Sequence, residues 1–331
     1  MKPAGVDVIV PCYNYGHYLR QCVASVLRER RIPIRVLIID DASEDGSAAE
    51  ARRIAAKDER VEVIVHRVNR GHIATFNEGI GWVRADYMLL LSADDLVAPG
   101  ALARAVGLME NHPDVAFVHG RAVRFSHEDE LDALCESVDA DGAAIFRGAD
   151  FIGDLCARPV NPVETATVVV RSSIQKRIGG YRPQLLHAGD LEMWLRCAVH
   201  GNVGVIGAVQ GYVRLHANNM RDKYKGPADY QQRYEAFVDF FDRNSAMLAN
   251  AGQLKRQALR ALAHQLIHDA SNALDNGRRC AWMIELARKI WPGVRWTRSY
   301  WRLALKRIVA PVLARGPWRG SPKPADMGPT R

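Results

Sequence analysis

"YMLLLSADDLVAPGAL" (residues 87–102) passes from an apolar run of strand length straight into Ala93-Asp94-Asp95, then returns to apolar residues and a proline. Two adjacent carboxylates at the mouth of a buried strand repel one another and lose hydration, and both effects cost free energy. Such a pair is stable where a divalent cation or hydrogen-bond donors meet it. Hard oxygen ligands suit Mg²⁺ or Mn²⁺, which in turn hold phosphates. The plain alternative is that Asp94 and Asp95 cap the helix expected over 99–111, whose opening Pro99 suits a first helical turn.

Working outward, "VDVIVP" (6–11), "RVLIID" (35–40), "VEVIVH" (61–66) and "VAFVHG" (115–120) join "YMLLLS" (87–92) as short runs rich in Val, Ile and Leu. That composition marks strands covered on both faces. Between them lie segments of helical length over 15–28, 47–57, 73–83 and 99–111, with Ser43 and Asp45 placed to cap the second. The alternation predicts an α/β fold with a doubly wound, mostly parallel sheet.

Ligands of such sheets bind beyond the carboxyl ends of the strands. There the unusual residues gather: "PCYN" follows the first strand, "DDASEDGS" the second, "RVNRGH" the third and "SADD" the fourth. A second acidic pair, Asp40-Asp41, thus neighbours Asp94-Asp95, and this company favours a ligand site over simple capping. The patterns GxGxxG, GxxxxGK[ST], HExxH and GxSxG are absent, which removes the main support for dinucleotide, P-loop, zinc-protease and esterase readings.

Residues 121–160 lose the periodicity, and "SHEDELDALCESVDADG" (126–142) reads as a surface connection with one short helix. In "GDLEMWLRCAVHG" (189–201), Leu191, Trp194, Leu195 and Ala198 share one helical face. Asp190 falls at the N-terminal end, where a carboxylate serves as a cap or complements the helix dipole. From about Asp229 onward the chain reads as helical.

The 331 residues, 48% hydrophobic and 25% charged, suffice for one large core or two smaller ones. Six scattered cysteines without a CxxC pair predict neither a zinc site nor a disulfide framework, but reduced, packed thiols of a cytosolic protein. No apolar run reaches bilayer-spanning length and the N-terminus lacks a signal-like core, so neither integral insertion nor secretion is expected.

The ordered set "VDVIVPCYNYGHYLRQCVASVL", "VLIIDDASEDGS", "NRGHIATFNEGI", "LLLSADDLVAPGAL", "GGYRPQLLHAGDLEMWLRCAVHG" and "GYVRLHANNM" resembles family 2 glycosyltransferases of the GT-A fold over about residues 5–220. The resemblance implies that Pro11 and Tyr13 line a nucleobase pocket shaped by Asn69, and that Asp41 accepts a hydrogen bond from uracil or thymine. It implies Asp94 as a metal-binding carboxylate with Asp95 in support, and His216 as a completing ligand for Mn²⁺ or Mg²⁺. Many relatives have Asp where this chain has Ser92, so the Ser92 hydroxyl or the Ala93 backbone would serve the ribose. Asp190 is implied as the base that deprotonates an acceptor hydroxyl, which displaces a nucleoside diphosphate and inverts the anomeric carbon. Read from the residues alone, His216 is a structural histidine rather than a ligand, and Glu192 is the fallback base, pointing off the opposite side of the helix.

The resemblance stops before the basic end of the chain. From residue 277 to 331 there are 13 Lys/Arg against two acids, net +11. The total of +8 therefore leaves −3 for residues 1–276. In "RWTRSYWRLALKRIVAPVLARGPWRG" (295–320), Trp301, Leu305, Ile308 and Val312 share one face, while Arg298, Arg302 and Lys306 form another row. Two readings stay open there: an anchor on an anionic membrane surface, or a face packed on the catalytic domain. Nucleic acid is not an expected partner.

The expected architecture is a GT-A-like catalytic domain over 1–225 and a helical basic extension over 226–331, located in the cytoplasm or peripherally on the cytoplasmic membrane face. The expected activity is transfer of a sugar from a UDP- or dTDP-sugar to a glycan or lipid-linked acceptor, in polysaccharide or glycolipid synthesis. The rivals are a catalytically silent nucleotide-sugar-binding or membrane scaffold protein and a sugar nucleotidyltransferase.

Overall fold

The computed structural model describes residues 3–128, 130, 142–217, 219 and 224–314. Two compact units divide after Ala258. The first opens with β1 (Val6–Cys12), α1 (Gly16–Leu27), β2 (Ile34–Asp40), α2 (Ser47–Ala55), β3 (Val61–Val65), α3 (His72–Trp82) and β4 (Tyr87–Leu90). It continues through β5 (Leu96–Val97), α4 (Ala101–Asn111), β6 (Val115–Phe125), β7 (Ala143–Phe146) and α5 (Gly148–Ala157). After β8 (Val169–Arg171) come α6 (Ser172–Ile178), α7 (Gly189–Val199), β9 (Asn202–Arg214) and α8 (Pro227–Asn244).

The strands form one sheet in the order β3-β2-β1-β4-β8-β6-β9-β5, with β7 also on β9. Strands β1, β2, β3 and β4 pair in parallel. Strand β8 is antiparallel to both β4 and β6, which makes β6 parallel to the first four, and β9 is parallel to β6. The sheet is therefore mostly parallel, with β5, β7 and β8 reversed. Strand order turns at β1, which lies between β2 and β4, so the crevice beyond their carboxyl ends is the favoured ligand position.

Alternation along each strand divides the core into two layers. Val8 and Val10 of β1 and Val36 and Ile38 of β2 pack with Leu19, Val23 and Val26 of α1 and Leu102 and Met109 of α4. Ile9, Leu37 and Ile39 face the other way, onto Ile73 and Ile80 of α3 and the residues of α7 and α8. Gly79 lets α3 approach the sheet closely: a Cβ there would meet Ile9 Cγ2 at 2.3 Å.

Some expectations change in detail. Helix α4 begins at Ala101 behind a left-handed Gly100, so Pro99 stands before the helix rather than in its first turn. Helix α2 has Gly46 as its N-cap; Ser43 is instead an acceptor for Asn14 N, while Asp45 accepts from Ser47 N and Gly16 N. Helix α7 is buried nearly all round rather than on one face. Its Glu192 and Arg196 form a buried ion pair at 2.6 Å, because α8 covers the polar side with Phe237, Phe240 and Phe241. That burial also explains why the first unit extends to Ala258 rather than ending near residue 225. Most of the acidic run 126–142 lies outside the described residues; around it are the long β6, β7 and α5.

Helix α9 (Ala251–Asp275) runs across the division. The second unit then contains α10 (Ala281–Ile290), a 3₁₀ turn (Pro292–Trp296) and α11 (Arg298–Ala314). Its buried residues include Leu262, Leu266, Ile284, Ile290, Val294 and Leu303. Trp296, Trp301, Leu305 and Ile308 are exposed. Lys306 pairs with Asp275 Oδ2 at 2.5 Å, which leaves Arg298 and Arg302 of the expected basic row. The Val312 side chain and Trp318 lie outside the described residues. Among the described residues no helix is long and apolar enough to cross a membrane. Five cysteines, at 12, 22, 156, 197 and 280, are buried and unbonded; Cys135 lies outside the described residues.

Candidate active site

A cleft of about 450 Å³ opens at the carboxyl ends of β1, β2 and β4. Its lining includes Pro11, Tyr13, Asp41, Asn69, Ser92, Ala93, Asp94 and Asp95, eight of the ten residues expected at the site. The remaining two, His216 and Asp190, adjoin the cleft through hydrogen bonds.

The acidic pair that ends the β4 segment is met by hydrogen-bond donors. Asp94, 7% exposed, accepts from His216 Nε2 at 3.0 Å through Oδ2. Asp95 Oδ1 accepts from Arg214 N at 3.0 Å. Arg214 lies buried between the rings of Tyr18 and Phe125, at 4.4 and 4.5 Å, and its Nε donates to Asp94 O at 3.1 Å. Both carboxylates thus serve the β4–β9 junction, and neither caps α4. An imidazole on Asp94 and a backbone N–H on Asp95 supply the donors that the sequence calls for at this pair.

The Asp94–His216 pair has the chemistry of a hard-cation site completed by phosphate oxygens and water. Among the described residues there is no cluster of three or more His, Cys, Asp and Glu able to hold a metal alone. Such an ion would therefore depend on ligand oxygens. Tyr15 closes this side of the cleft, its ring 5.3 Å from that of His216, and burial followed by the Asp94 charge raises its phenol.

Asp41 directly follows β2 and is held by the "NRG" turn. Its Oδ1 accepts from Arg70 N and its Oδ2 from Gly71 N, at 2.8 and 2.9 Å. Gly71 takes φ +82, a left-handed conformation that favours glycine. Asn69 Oδ1 also accepts from Gly71 N, and Asn69 Nδ2 donates to Asp41 O. His66 Nδ1 is the third donor to the carboxylate, at 2.7 Å. Burial alone would raise the Asp41 carboxyl, but these donors outweigh it and hold the group below its ordinary value.

Asp190 stands in the first turn of α7 and caps nothing, since the N-cap residue is Ala188. Its Oδ2 accepts from Thr165 Oγ1 at 2.7 Å, and the Tyr181 hydroxyl is a second donor. Tyr181 is itself fixed by Asn77 of α3, through Tyr181 N to Oδ1 at 2.6 Å and Nδ2 to Tyr181 O at 2.9 Å. Burial raises the Asp190 carboxyl above its ordinary value despite the two donors. The cleft wall at this point consists of Glu164 and Thr165. Glu164 forms an ion pair with Arg124. Glu192, the expected fallback base, is fully buried against Arg196 and does not line the cleft.

Sequence reasoning missed Glu164, Thr165, Tyr15, His66 and Arg214. Arg214 stands two residues before His216 in "YVRLHANN" and could have been read with it. Nothing in "ETATVVV" marks Thr165, whose place depends on the antiparallel β8.

Residues 7–150 match the family model described as Glycosyl transferase family 2. The succinoglycan biosynthesis protein ExoO of Rhizobium meliloti (strain 1021) is 25% identical over 336 residues, covering 95% of this chain and 86% of the relative. Among solved structures, S. aureus TarS 1-349 in complex with UDP-GlcNAc superposes with a TM-score of 0.57 at 16% identity, over 89% of this chain and 92% of that one. The mannosyltransferase PcManGT from Pyrobaculum calidifontis, in complex with GDP-Man and Mn²⁺, gives 0.51 at 18% identity over 93% and 87%. The sheet order, the rim of strand-end residues and these matches agree: residues 7–150 carry a family 2 glycosyltransferase domain, and the chain has the GT-A fold.

Proposed function

We propose that the protein transfers a sugar, with inversion, from a UDP- or dTDP-sugar to an acceptor hydroxyl in cell-surface polysaccharide or glycolipid synthesis. The observation that carries this reading is the cleft lined by Asp41 and Asp94, with His216 hydrogen-bonded to Asp94 and Asp190 hydrogen-bonded to the wall residue Thr165. The nucleotide-sugar complexes of TarS and PcManGT and the succinoglycan role in ExoO's name support it.

Pro11, Tyr13 and Asn69 would enclose the base while Asp41 accepts its N–H, and Ser92 or the Ala93 backbone would meet the ribose. Asp94 and His216 would hold Mg²⁺ or Mn²⁺. When bound, the ion supplies positive charge to the diphosphate leaving group, so the protein needs no acid of its own. Asp190 takes the acceptor's hydroxyl proton as the oxygen attacks, with Thr165 and Tyr181 fixing its orientation. We further propose that the exposed Trp301, Leu305 and Ile308, beside Arg298 and Arg302, hold the enzyme peripherally on an anionic membrane face.

The test is calorimetric titration of UDP, dTDP, GDP and CDP with and without Mn²⁺, alongside Asp94→Ala, then transfer assays of Asp190→Asn and Glu164→Gln. We expect metal-dependent binding of a uridine or thymidine diphosphate that Asp94→Ala abolishes. Asp190→Asn should keep donor binding and lose about 10²–10⁴-fold in transfer, with Glu164→Gln losing far less. Equal losses in the two variants would reassign the base. A parent that binds a nucleoside diphosphate yet transfers no sugar would favour the silent-binder alternative, and an Asp190→Asn protein as active as an active parent would remove Asp190 from the role of base.

A further inference from the structure

His66, at the end of β3, is 6% exposed, and both its ring nitrogens face carboxylate oxygens: Nδ1 to Asp41 Oδ1 at 2.7 Å and Nε2 to Glu78 Oε2 at 2.9 Å. Glu78 is fixed in turn by Arg70 Nη1 at 2.6 Å. The network ties the ends of two strands, helix α3 and the turn at Asn69 into one unit under the cleft.

A carboxylate offers about four acceptor positions, two on each oxygen. On Asp41, His66 and Arg70 N occupy both positions of Oδ1, and Gly71 N occupies one of Oδ2. A single acceptor position is left for a ligand in the cleft. Uracil and thymine present one N–H, at N3. Guanine presents two adjacent donors, at N1 and the exocyclic amine, which pair with a carboxylate through both oxygens.

We infer that His66 is a positioning and specificity residue: by filling Asp41 Oδ1 and fixing the carboxylate's orientation, it restricts the site to a base that presents one donor. The inference rests on the proposed role of Asp41 in base recognition. It concerns the choice of base and is independent of the reaction that follows.

The experiment measures Kd for UDP, dTDP and GDP on the full-length parent, His66→Ala, His66→Asn and Glu78→Gln, with melting curves as a check on folding. The Asn amide occupies nearly the place of Nδ1 and can keep the bond to Asp41 while losing that to Glu78. His66→Ala should weaken UDP about tenfold while changing GDP less than about threefold, so that the UDP/GDP ratio collapses. His66→Asn should recover most of the ratio, and Glu78→Gln should fall between it and the parent. A histidine that merely supports the fold would weaken all diphosphates together, and an unchanged ratio in His66→Ala overturns the inference. If that variant does not fold, an unchanged ratio in Glu78→Gln overturns it instead. A parent that shows no preference for UDP or dTDP defeats the donor reading itself, which is a different result from a parental preference that survives every substitution.

Discussion

Asp190 shows how one residue's surroundings set both its chemistry and its cost. As the proposed base, its raised carboxyl must be ionised to accept a proton, so transfer should fall as pH drops through that raised value. The acid limb of the rate profile should therefore lie above the ordinary carboxylate range near pH 4. The stability consequence has the opposite sense. Holding a charge in this partly buried place is unfavourable, so its stability contribution is complete below the unfolded pKa and is lost as pH rises through the folded one. Asp190→Asn should raise the melting temperature by about 1–3 °C at neutral pH, and the gain should vanish below about pH 4. A melting point unchanged at both pH values would contradict the buried-charge account. Individual residues at the strand ends were legible because their types are unusual beside apolar strands, as with Asp41 and Asp94. Thr165 and Tyr181 were not, since an ordinary hydroxyl becomes significant only when folding places it beside Asp190.

At the level of elements, the apolar period revealed β1 to β4 and β6 along with the helices between them, because a strand covered on both sides leaves a dense Val/Ile/Leu run. Helix α7 is buried beyond the one face shared by Leu191, Trp194, Leu195 and Ala198, because Glu192 and Arg196 form a buried pair. Only the arrival of α8, from about 40 residues further along, buries that side. Helix α3 offers a paired test. Adding a Cβ at Gly79 forces it into Ile9 and Ile39, whereas Gly81 has nothing within 4 Å. Gly79→Ala should destabilise by about 1–3 kcal/mol through overpacking. Gly81→Ala, exposed in the same helix, should stabilise by about 0.5–1 kcal/mol. Denaturant midpoints measure both, and equal effects would show that α3 does not lie against the sheet as described.

Across the whole molecule, the division after Ala258 was not legible, because the helical pattern begins near residue 227 while the sheet's own cover continues through α8. The basic, aromatic character of the second unit was legible, since it is a matter of composition. If Trp301, Leu305 and Ile308 anchor the enzyme, the full-length protein should sediment with vesicles containing phosphatidylglycerol and not with phosphatidylcholine alone, and added salt should weaken the association. Leu305→Glu should reduce binding at least about tenfold; undiminished sedimentation would place the membrane contact elsewhere or nowhere. The buried cysteines have a further consequence. Cys12, on the floor of the cleft, Cys22, Cys156 and Cys197 belong to the first unit and Cys280 to the second. A thiol reagent reaches such groups only when the chain around them opens. The molecule therefore carries a built-in clock in each unit: modification of Cys280 times the opening of the helical part, and modification of Cys12 times the opening of the cleft.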